Sequence, residues 1–274
     1  MQCKICSSAT VVITNKRILN KYDVNYHQCV QCHFIQTDEP FWLEEAYASA
    51  ITDLDIGLIS RNIYLQNTIP PLLDTCFPTA SAMLDYGGGY GMFVRMMRDK
   101  GYNFYRQDNF CENLFANYFD LADSPDKKFD VLTAFEVFEH LADPVNETQK
   151  MLDLAGNVIF STLLIPGNVK DFDDWWYVSP LIGQHIAFYD KKTLLVLADK
   201  FGKKLYSNNE NLHIFSSRSL DRSAVDSLFK EPKRSLLKRL ADRFFYTNKE
   251  TTPKPSLLQK DYELIEKKLT SKKL

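Results

Sequence analysis

The segment Ser81–Gly101, SAMLDYGGGYGMFVRMMRDKG, predicts a strand, a glycine loop and a helix in direct succession. Ser81 to Tyr86 is a short and mostly apolar strand, and Met92 to Lys100 has the apolar spacing of a helix that Gly101 closes. Between them, Gly87, Gly89 and Gly91 permit a tight turn and close backbone approach to a ligand, while the helix N-terminus offers free N–H groups. The acid narrows the ligand. The run is Asp85-x-Gly87-x-Gly89-x-Gly91, with a carboxylate at the strand end. A dinucleotide site sets the helix dipole against a pyrophosphate, whereas a carboxylate ahead of the glycines suits a cationic amino-acid group. S-adenosylmethionine is such a ligand.

Working outward, a second strand, Asn103 to Gln107, ends at Asp108, where a carboxylate can accept from both ribose hydroxyls. A strand from Phe129 to Phe135 then runs into Glu136-Val137-Phe138-Glu139-His140-Leu141-Ala142-Asp143-Pro144, a helix over Val145 to Leu154 and a strand over Val158 to Thr162. Asp190 caps a helix through Phe201, and Lys203 to Ser207 with Leu212 to Ser217 forms a terminal hairpin. Phe41 to Cys76 reads as mainly helical, ending near Pro70-Pro71.

On LDYGGGYG, on FDVLTAFEVFEHLADP, on the strand before Pro166 and on WWYVSPLIGQHIAFYDKKTL, the chain resembles the class I S-adenosylmethionine-dependent methyltransferases, in particular a bacterial branch with an N-terminal zinc-binding module. The resemblance covers roughly residues 1 to 217. It implies an α/β fold with a Rossmann-like seven-stranded sheet in the order 3-2-1-4-5-7-6 and helices on both faces. It further implies that Tyr86, Gly87, Gly89 and Gly91 line the cofactor, with Asp85 at its methionine end and Asp108 on the ribose. Phe135 and Glu136, at the carboxyl end of the fourth strand, would flank the methionine portion and face the substrate cleft. An acid beside adenine is harder to place; Asp120 and Asp123 are the candidates.

Ahead of this domain stand Cys3-Lys4-Ile5-Cys6 and Cys29-Val30-Gln31-Cys32, separated by 22 residues that contain a β-hairpin, Thr10 to Thr14 and Tyr22 to His27. Each turn aims two thiolates at one point, and two turns supply the tetrahedral sulfur shell of structural zinc. His27 and His33 are alternative ligands. Four sulfurs close the shell, which makes the metal structural, and so small a ribbon folds only with it. Redox use of the pairs is the competing reading; Cys76 and Cys111 read as small buried hydrophobes.

Residues 166 to 189 form an aromatic insertion after the fifth strand, with Phe172, Trp175, Trp176, Tyr177, Phe188 and Tyr189 around Gly183-Gln184-His185. Such rings either build core or pack on sugar rings and on a sulfonium; in the second case Trp175, Trp176, Tyr177, Gln184 and Tyr189 contact substrate. Methyl transfer to a hydroxyl needs alignment and a base. His185 is the first candidate, with substrate hydrogen bonding and a structural role as its alternatives, and Glu136 and Tyr189 are reserves.

The composition is that of a globular protein: 274 residues, 45% hydrophobic and 25% charged, with a net charge of -2. Met1 to Ser217 carries 18 Lys+Arg against 27 Asp+Glu, net -9, and Arg218 to Leu274 carries 15 against 8, net +7. The acidic main body argues against nucleic acid as partner. The basic tail holds an amphipathic segment, Lys233 to Tyr246, which reads as a helix docked by its apolar stripe; peripheral membrane contact and binding of a phosphate-bearing partner are the other readings. Apolar runs are too short to span a bilayer, and Cys3 and Cys6 stand where a leader would be charged, so a cytoplasmic protein is expected. The expected organisation is a zinc ribbon (1–40), a helical connector or lid (41–76), the S-adenosylmethionine-binding domain (77–217) and a basic helical extension (218–274). The expected activity is methyl transfer to a small-molecule acceptor, a sugar hydroxyl in nucleotide-sugar or surface-glycan biosynthesis. An RNA-modifying methyltransferase and a non-catalytic zinc-ribbon scaffold are the alternatives.

Overall fold

The computed structural model describes residues 1–48, 52, 54–167, 172–229 and 254–271. Its main sheet grows from the glycine-loop unit. Strand β4 (Met83–Tyr86) pairs in parallel with β5 (Phe104–Gln107) on one side and β6 (Val131–Phe135) on the other, and β6 pairs in parallel with β7 (Asn157–Ser161). Antiparallel β10 (Leu212–Ser216) follows β7 and is bordered by β9 (Lys204–Ser207). The order is therefore β5-β4-β6-β7-β10-β9. These strands are buried almost throughout, as a sheet covered on both faces requires.

The expected α/β architecture is present, but among the described residues the sheet has six strands rather than seven. Its missing third strand is reduced to one parallel bridge, Arg106 to Asp120. The reason is local. The segment after β5 is rich in turn formers, and the buried Arg106 guanidinium fills the edge, donating to Gly89 O at 2.9 Å, Asp120 Oδ1 at 3.1 Å and Cys111 O at 2.5 Å.

Helix α1 (Leu43–Ala46) is a single turn, and α2 (Leu58–Cys76) runs straight through Pro70 and Pro71, one turn beyond the expected stop. Two backbone donors are lost there, yet Ile69, Leu72, Leu73 and Cys76 sit in the core and hold the last turn. Helix α3 (Met92–Asp99) follows the glycine loop; α4 (Pro144–Leu154) is capped by Asp143 and α5 (Lys191–Lys200) by Asp190. Helix α6 (Arg222–Phe229) packs on α2 and β9.

A second sheet is made of β1 (Thr10–Ile18), β2 (Tyr22–Cys29), β3 (Ile35–Thr37) and β8 (Ala187–Phe188), all antiparallel. The aromatic insertion thus contributes a strand to the N-terminal hairpin. Between them lies a separate core of Tyr26, Trp42, Phe172, Tyr177, Ile186 and Phe188 among others. The Trp42 indole donates to Gly183 O at 2.8 Å, and a Cβ on Gly183 would meet Ile18 Cγ2 at 2.7 Å.

Helix α7 (Leu258–Ser271) docks on α3 through one carboxylate. Asp261 is buried, and Arg98 donates to both its oxygens at 2.9 and 2.8 Å while Arg95 adds a bond at 2.9 Å. The basic segment Lys233–Tyr246 lies outside the described residues. No described helix is long and apolar enough to cross a membrane.

Candidate active site

The glycine loop is held open from below. Gly87 N–H and Gly88 N–H donate to Gln107 O at 2.8 and 3.2 Å, and Gly89 N–H donates to Asp108 Oδ2 at 2.9 Å. Three glycines lie at positive φ, Gly87 at 69°, Gly89 at 54° and Gly91 at 85°. A Cβ on Gly87 would strike Val137 at 2.6 Å and one on Gly91 would strike Asn113 at 2.8 Å, whereas none of the described residues lies within 4 Å of one on Gly89. The open space in front of Gly89 is the cradle a ligand would fill.

Asp85 lies under this loop, 3% exposed, and accepts from Thr133 Oγ1 at 2.6 Å. Burial raises its carboxyl to about 7; the Thr133 hydroxyl opposes the shift, Asp108 adds to it and Arg106 opposes it. Asp108 ends β5, and its other oxygen accepts from Phe110 N–H at 2.8 Å and Cys111 N–H at 2.7 Å. Three of its roughly four acceptor sites are thus filled, and one remains for a ligand hydroxyl. Tyr86 is half-buried and donates to Glu147 at 2.8 Å. The two adenine candidates are engaged in structure: Asp120 holds Arg106 and Asn113, and Asp123 accepts from Asp120 N–H at 3.1 Å.

At the carboxyl end of β6, Phe135 packs edge-on against Phe93, and Glu136 adopts the left-handed region at φ 54°. That backbone is costly for a residue with a side chain, and Ser161 holds it: Glu136 N–H donates to Ser161 Oγ at 2.8 Å, and the same hydroxyl donates to Glu136 Oε1 at 2.7 Å.

One turn further on, Glu139, His140 and His185 converge. A ligating atom from each lies within 4.8 Å of the others, and His140 Nε2 is 3.9 Å from Glu139 Oε1. His185 Nδ1 donates to Tyr177 O at 2.5 Å, and His140 Nδ1 lies 3.1 Å from Gln184 O and 3.0 Å from the Tyr47 hydroxyl. A carbonyl only accepts, so His185 carries its proton on Nδ1 and presents a bare Nε2, whereas His140 Nδ1 faces both a carbonyl and the Tyr47 hydroxyl and its Nε2 faces Glu139. Burial holds both rings neutral, lowering His185 to about 4 and His140 to about 3. Glu139 is fully buried, and burial together with Glu136 raises it to about 8.

The remaining aromatic residues of the insertion divide. Tyr177 and Tyr189 are buried, Tyr189 donating to Phe138 O at 2.9 Å; Gln184 is buried and donates to Ala46 O at 2.8 Å. Trp175 is half-buried in the second core, whereas Trp176 is 74% exposed. Sequence reasoning passed over Tyr47, Phe110 and Glu139. Tyr47 stacks on the exposed Phe110 ring at 5.2 Å and touches His140, bringing the connector onto the cleft. No periodic signal marks that contact, which depends on tertiary packing.

The four cysteines Cys3, Cys6, Cys29 and Cys32 form a single cluster, with Sγ–Sγ distances of 3.5 Å (Cys3–Cys32) and 3.4 Å (Cys6–Cys29). Zinc with thiolates at about 2.3 Å needs sulfurs roughly 3.8 Å apart, so the set fits with a small expansion. Ile5, Gln31 and Cys32 aim N–H groups at the sulfurs. The hydrogen bond from Cys32 lowers Cys3 to about 5. Both alternative ligands are engaged elsewhere: His27 pairs with Asp38 at 2.7 Å and His33 with Asp190 at 2.9 Å.

Residues 61–208 match the model of a family described as methyltransferase domain, which is more than half of the chain. No curated protein sequence matches. Among solved structures, the chain is similar to TnmH (14% identity, 65% of this chain and 62% of that chain, TM-score 0.45). It is also similar to an O-methyltransferase family protein from Burkholderia thailandensis (12%, 65% and 68%, 0.40) and to the plantazolicin methyltransferase BpumL in complex with SAH (12%, 63% and 94%, 0.42). The chain thus spans less than two thirds of the length of TnmH.

Proposed function

The chain belongs to the methyltransferase domain family, and from that premise we propose that it is an S-adenosylmethionine-dependent enzyme that methylates a hydroxyl of a small acceptor, a sugar in nucleotide-sugar or surface-glycan biosynthesis. Bound S-adenosylmethionine supplies an electrophilic methyl on a sulfonium. The chain's residues then hold, align and deprotonate. In this reading Gly87, Gly89 and Gly91 line the donor, Asp85 faces its ammonium and Asp108 takes a ribose hydroxyl.

The observation that carries the proposal is the 2.5 Å contact between His185 Nδ1 and the Tyr177 carbonyl. With Nδ1–H given to the Tyr177 carbonyl, Nε2 keeps a lone pair in a neutral ring, ready to accept the acceptor's proton as the O–C bond forms and the S–C bond breaks. Burial lowers the ring to about 4, which makes it a weak base on its own, but the Tyr177 carbonyl and the Asp55 charge favour the imidazolium once the proton arrives. Trp176, with its exposed indole in the same insertion, is the proposed sugar platform. Zinc in the cysteine cluster is proposed as a structural ion that fixes the hairpin.

The test pairs binding with turnover. S-adenosylhomocysteine should bind wild type and His185→Asn alike, while methyl transfer to nucleotide-sugars is lost in the variant. Equal turnover would remove the base assignment, and activity on RNA without activity on any sugar would replace the acceptor class.

A further inference from the structure

We propose that Glu139, His140 and His185 together form a binding site for one divalent transition-metal ion, separate in place and in chemistry from the cysteine cluster. The starting point is a polar group with no partner. Glu139 is 0% exposed, and among the described residues neither of its carboxylate oxygens has a partner of normal hydrogen-bond geometry, the Tyr177 and Thr162 hydroxyls acting on it only from further off. Leaving such a group unmet costs on the order of 1–3 kcal/mol or more, so its position next to two imidazole rings calls for an explanation.

Two imidazole nitrogens and one carboxylate are the donor set of open zinc and iron(II) sites, which leave one or more positions for an exchangeable ligand. The outer contacts have the pattern that metal-bound histidines show: each Nδ1 lies against a backbone carbonyl, Tyr177 O at 2.5 Å for His185 and Gln184 O at 3.1 Å for His140, and His140 Nε2 faces Glu139 Oε1 at 3.9 Å. Nitrogen donors favour zinc, cobalt, nickel or iron over magnesium or calcium. Arg61, a nearby cation, is paired with Asp55 at 2.7 Å. The donors stand up to 4.8 Å apart, whereas a metal at about 2.1 Å from each needs them roughly 3–3.5 Å apart. The widest separation therefore closes by roughly 1.5 Å on binding, with ligands drawn from the turn after β6 and from the insertion before β8.

Occupancy has a consequence for turnover that rests on the base reading above. The ion takes the lone pair that His185 would offer to the acceptor's proton, so the metal-loaded enzyme should be inactive until the ion is removed. The binding itself does not depend on that reading.

The experiment is a cobalt(II) titration of full-length protein whose cysteines already hold zinc, read by calorimetry and visible absorption. One further equivalent is expected, with weak d–d bands and no thiolate charge transfer, and with inhibition that a chelator reverses. Glu139→Gln should weaken this equivalent at least about tenfold, and His140→Asn should do the same, both with S-adenosylhomocysteine binding retained as the control for folding. No further equivalent in wild type, or one that both variants bind equally well, overturns the site. Binding that activates instead of inhibiting keeps the site and overturns the base.

Discussion

Replacing Asp85 by Asn should make the protein more stable and its donor binding weaker. The carboxyl is buried beneath the glycine loop and raised from 3.8 to about 7. A group whose folded value is raised binds protons more tightly in the folded chain, so between about pH 4 and pH 7 folding takes up a proton and stability falls as pH rises. At about 1.4 kcal/mol for each pH unit of displacement, the ionised carboxylate costs the folded chain at most about 4 kcal/mol above pH 7. Asn keeps the oxygen that accepts from Thr133 Oγ1 at 2.6 Å and removes the charge. Urea unfolding of both proteins at pH 5 and pH 8 reads the difference: the variant should gain stability over wild type at pH 8 and show little gain at pH 5. Calorimetry with S-adenosylmethionine should show the opposite ranking, since a neutral amide faces the ammonium less favourably than a carboxylate. Equal stabilities at pH 8, or unchanged donor affinity, would refute the account of Asp85 as a strained acid kept for its ligand.

Three further outcomes follow from the packing. Gly87→Ala should destabilise the fold by more than about 2 kcal/mol, because its Cβ meets Val137 at 2.6 Å at φ 69°, whereas Gly89→Ala should carry only the cost of a side chain at φ 54°, about 1–2 kcal/mol, and reduce S-adenosylhomocysteine affinity, because its Cβ enters open space. Asp261→Asn leaves Arg98 buried with a broken pair and should cost about 3–5 kcal/mol in urea unfolding, with α7 becoming the first site of limited proteolysis. Cys3→Ser, or chelation of bound zinc, should abolish the ordered hairpin by near-ultraviolet dichroism and lower turnover as well.

The glycine-loop unit and the strands on either side were legible because each is a local pattern: a buried strand is a short apolar run, and positive φ at a tight turn selects glycine. The third strand was not, since nothing in the Cys111–Asp126 segment announces that the buried Arg106 guanidinium takes over that sheet edge. Pro70 and Pro71 misled for a related reason. Local propensity stops a helix there, and the burial of Leu72, Leu73 and Cys76 overrides it. Around the cleft, the acids and glycines at strand ends could be read from their order, but the grouping of Glu139 with His185 spans 46 residues and depends on how the insertion folds back. The insertion's aromatics were ambiguous in sequence because core and binding surface use the same residues; burial separates Tyr177 and Tyr189 from Trp176.

The fold back of the insertion also explains why a cysteine cluster belongs to this enzyme. Strand β3 follows the second Cys-x-x-Cys turn and pairs with β8, Ile35 opposite Phe188 and Gln36 opposite Ala187. His185 lies two residues before β8. At its other end, the Thr193 hydroxyl in the first turn of α5 donates to Cys32 O at 2.8 Å, His33 pairs with the cap residue Asp190, and Tyr189 packs on Phe34 with ring centroids 5.1 Å apart. The backbone that carries His185 is thus fastened on its C-terminal side to the turn that carries Cys29 and Cys32. An ion that fixes this turn therefore also limits where the imidazole can sit, even though its own shell is closed to substrate. The coupling separates two ways of losing activity. Removing the ion should reduce kcat with little change in S-adenosylhomocysteine affinity, because the glycine loop hangs from β4 and β5 and has no bond to the hairpin sheet among the described contacts. A parallel loss of affinity and kcat would mean that the hairpin supports the whole domain rather than the position of one histidine.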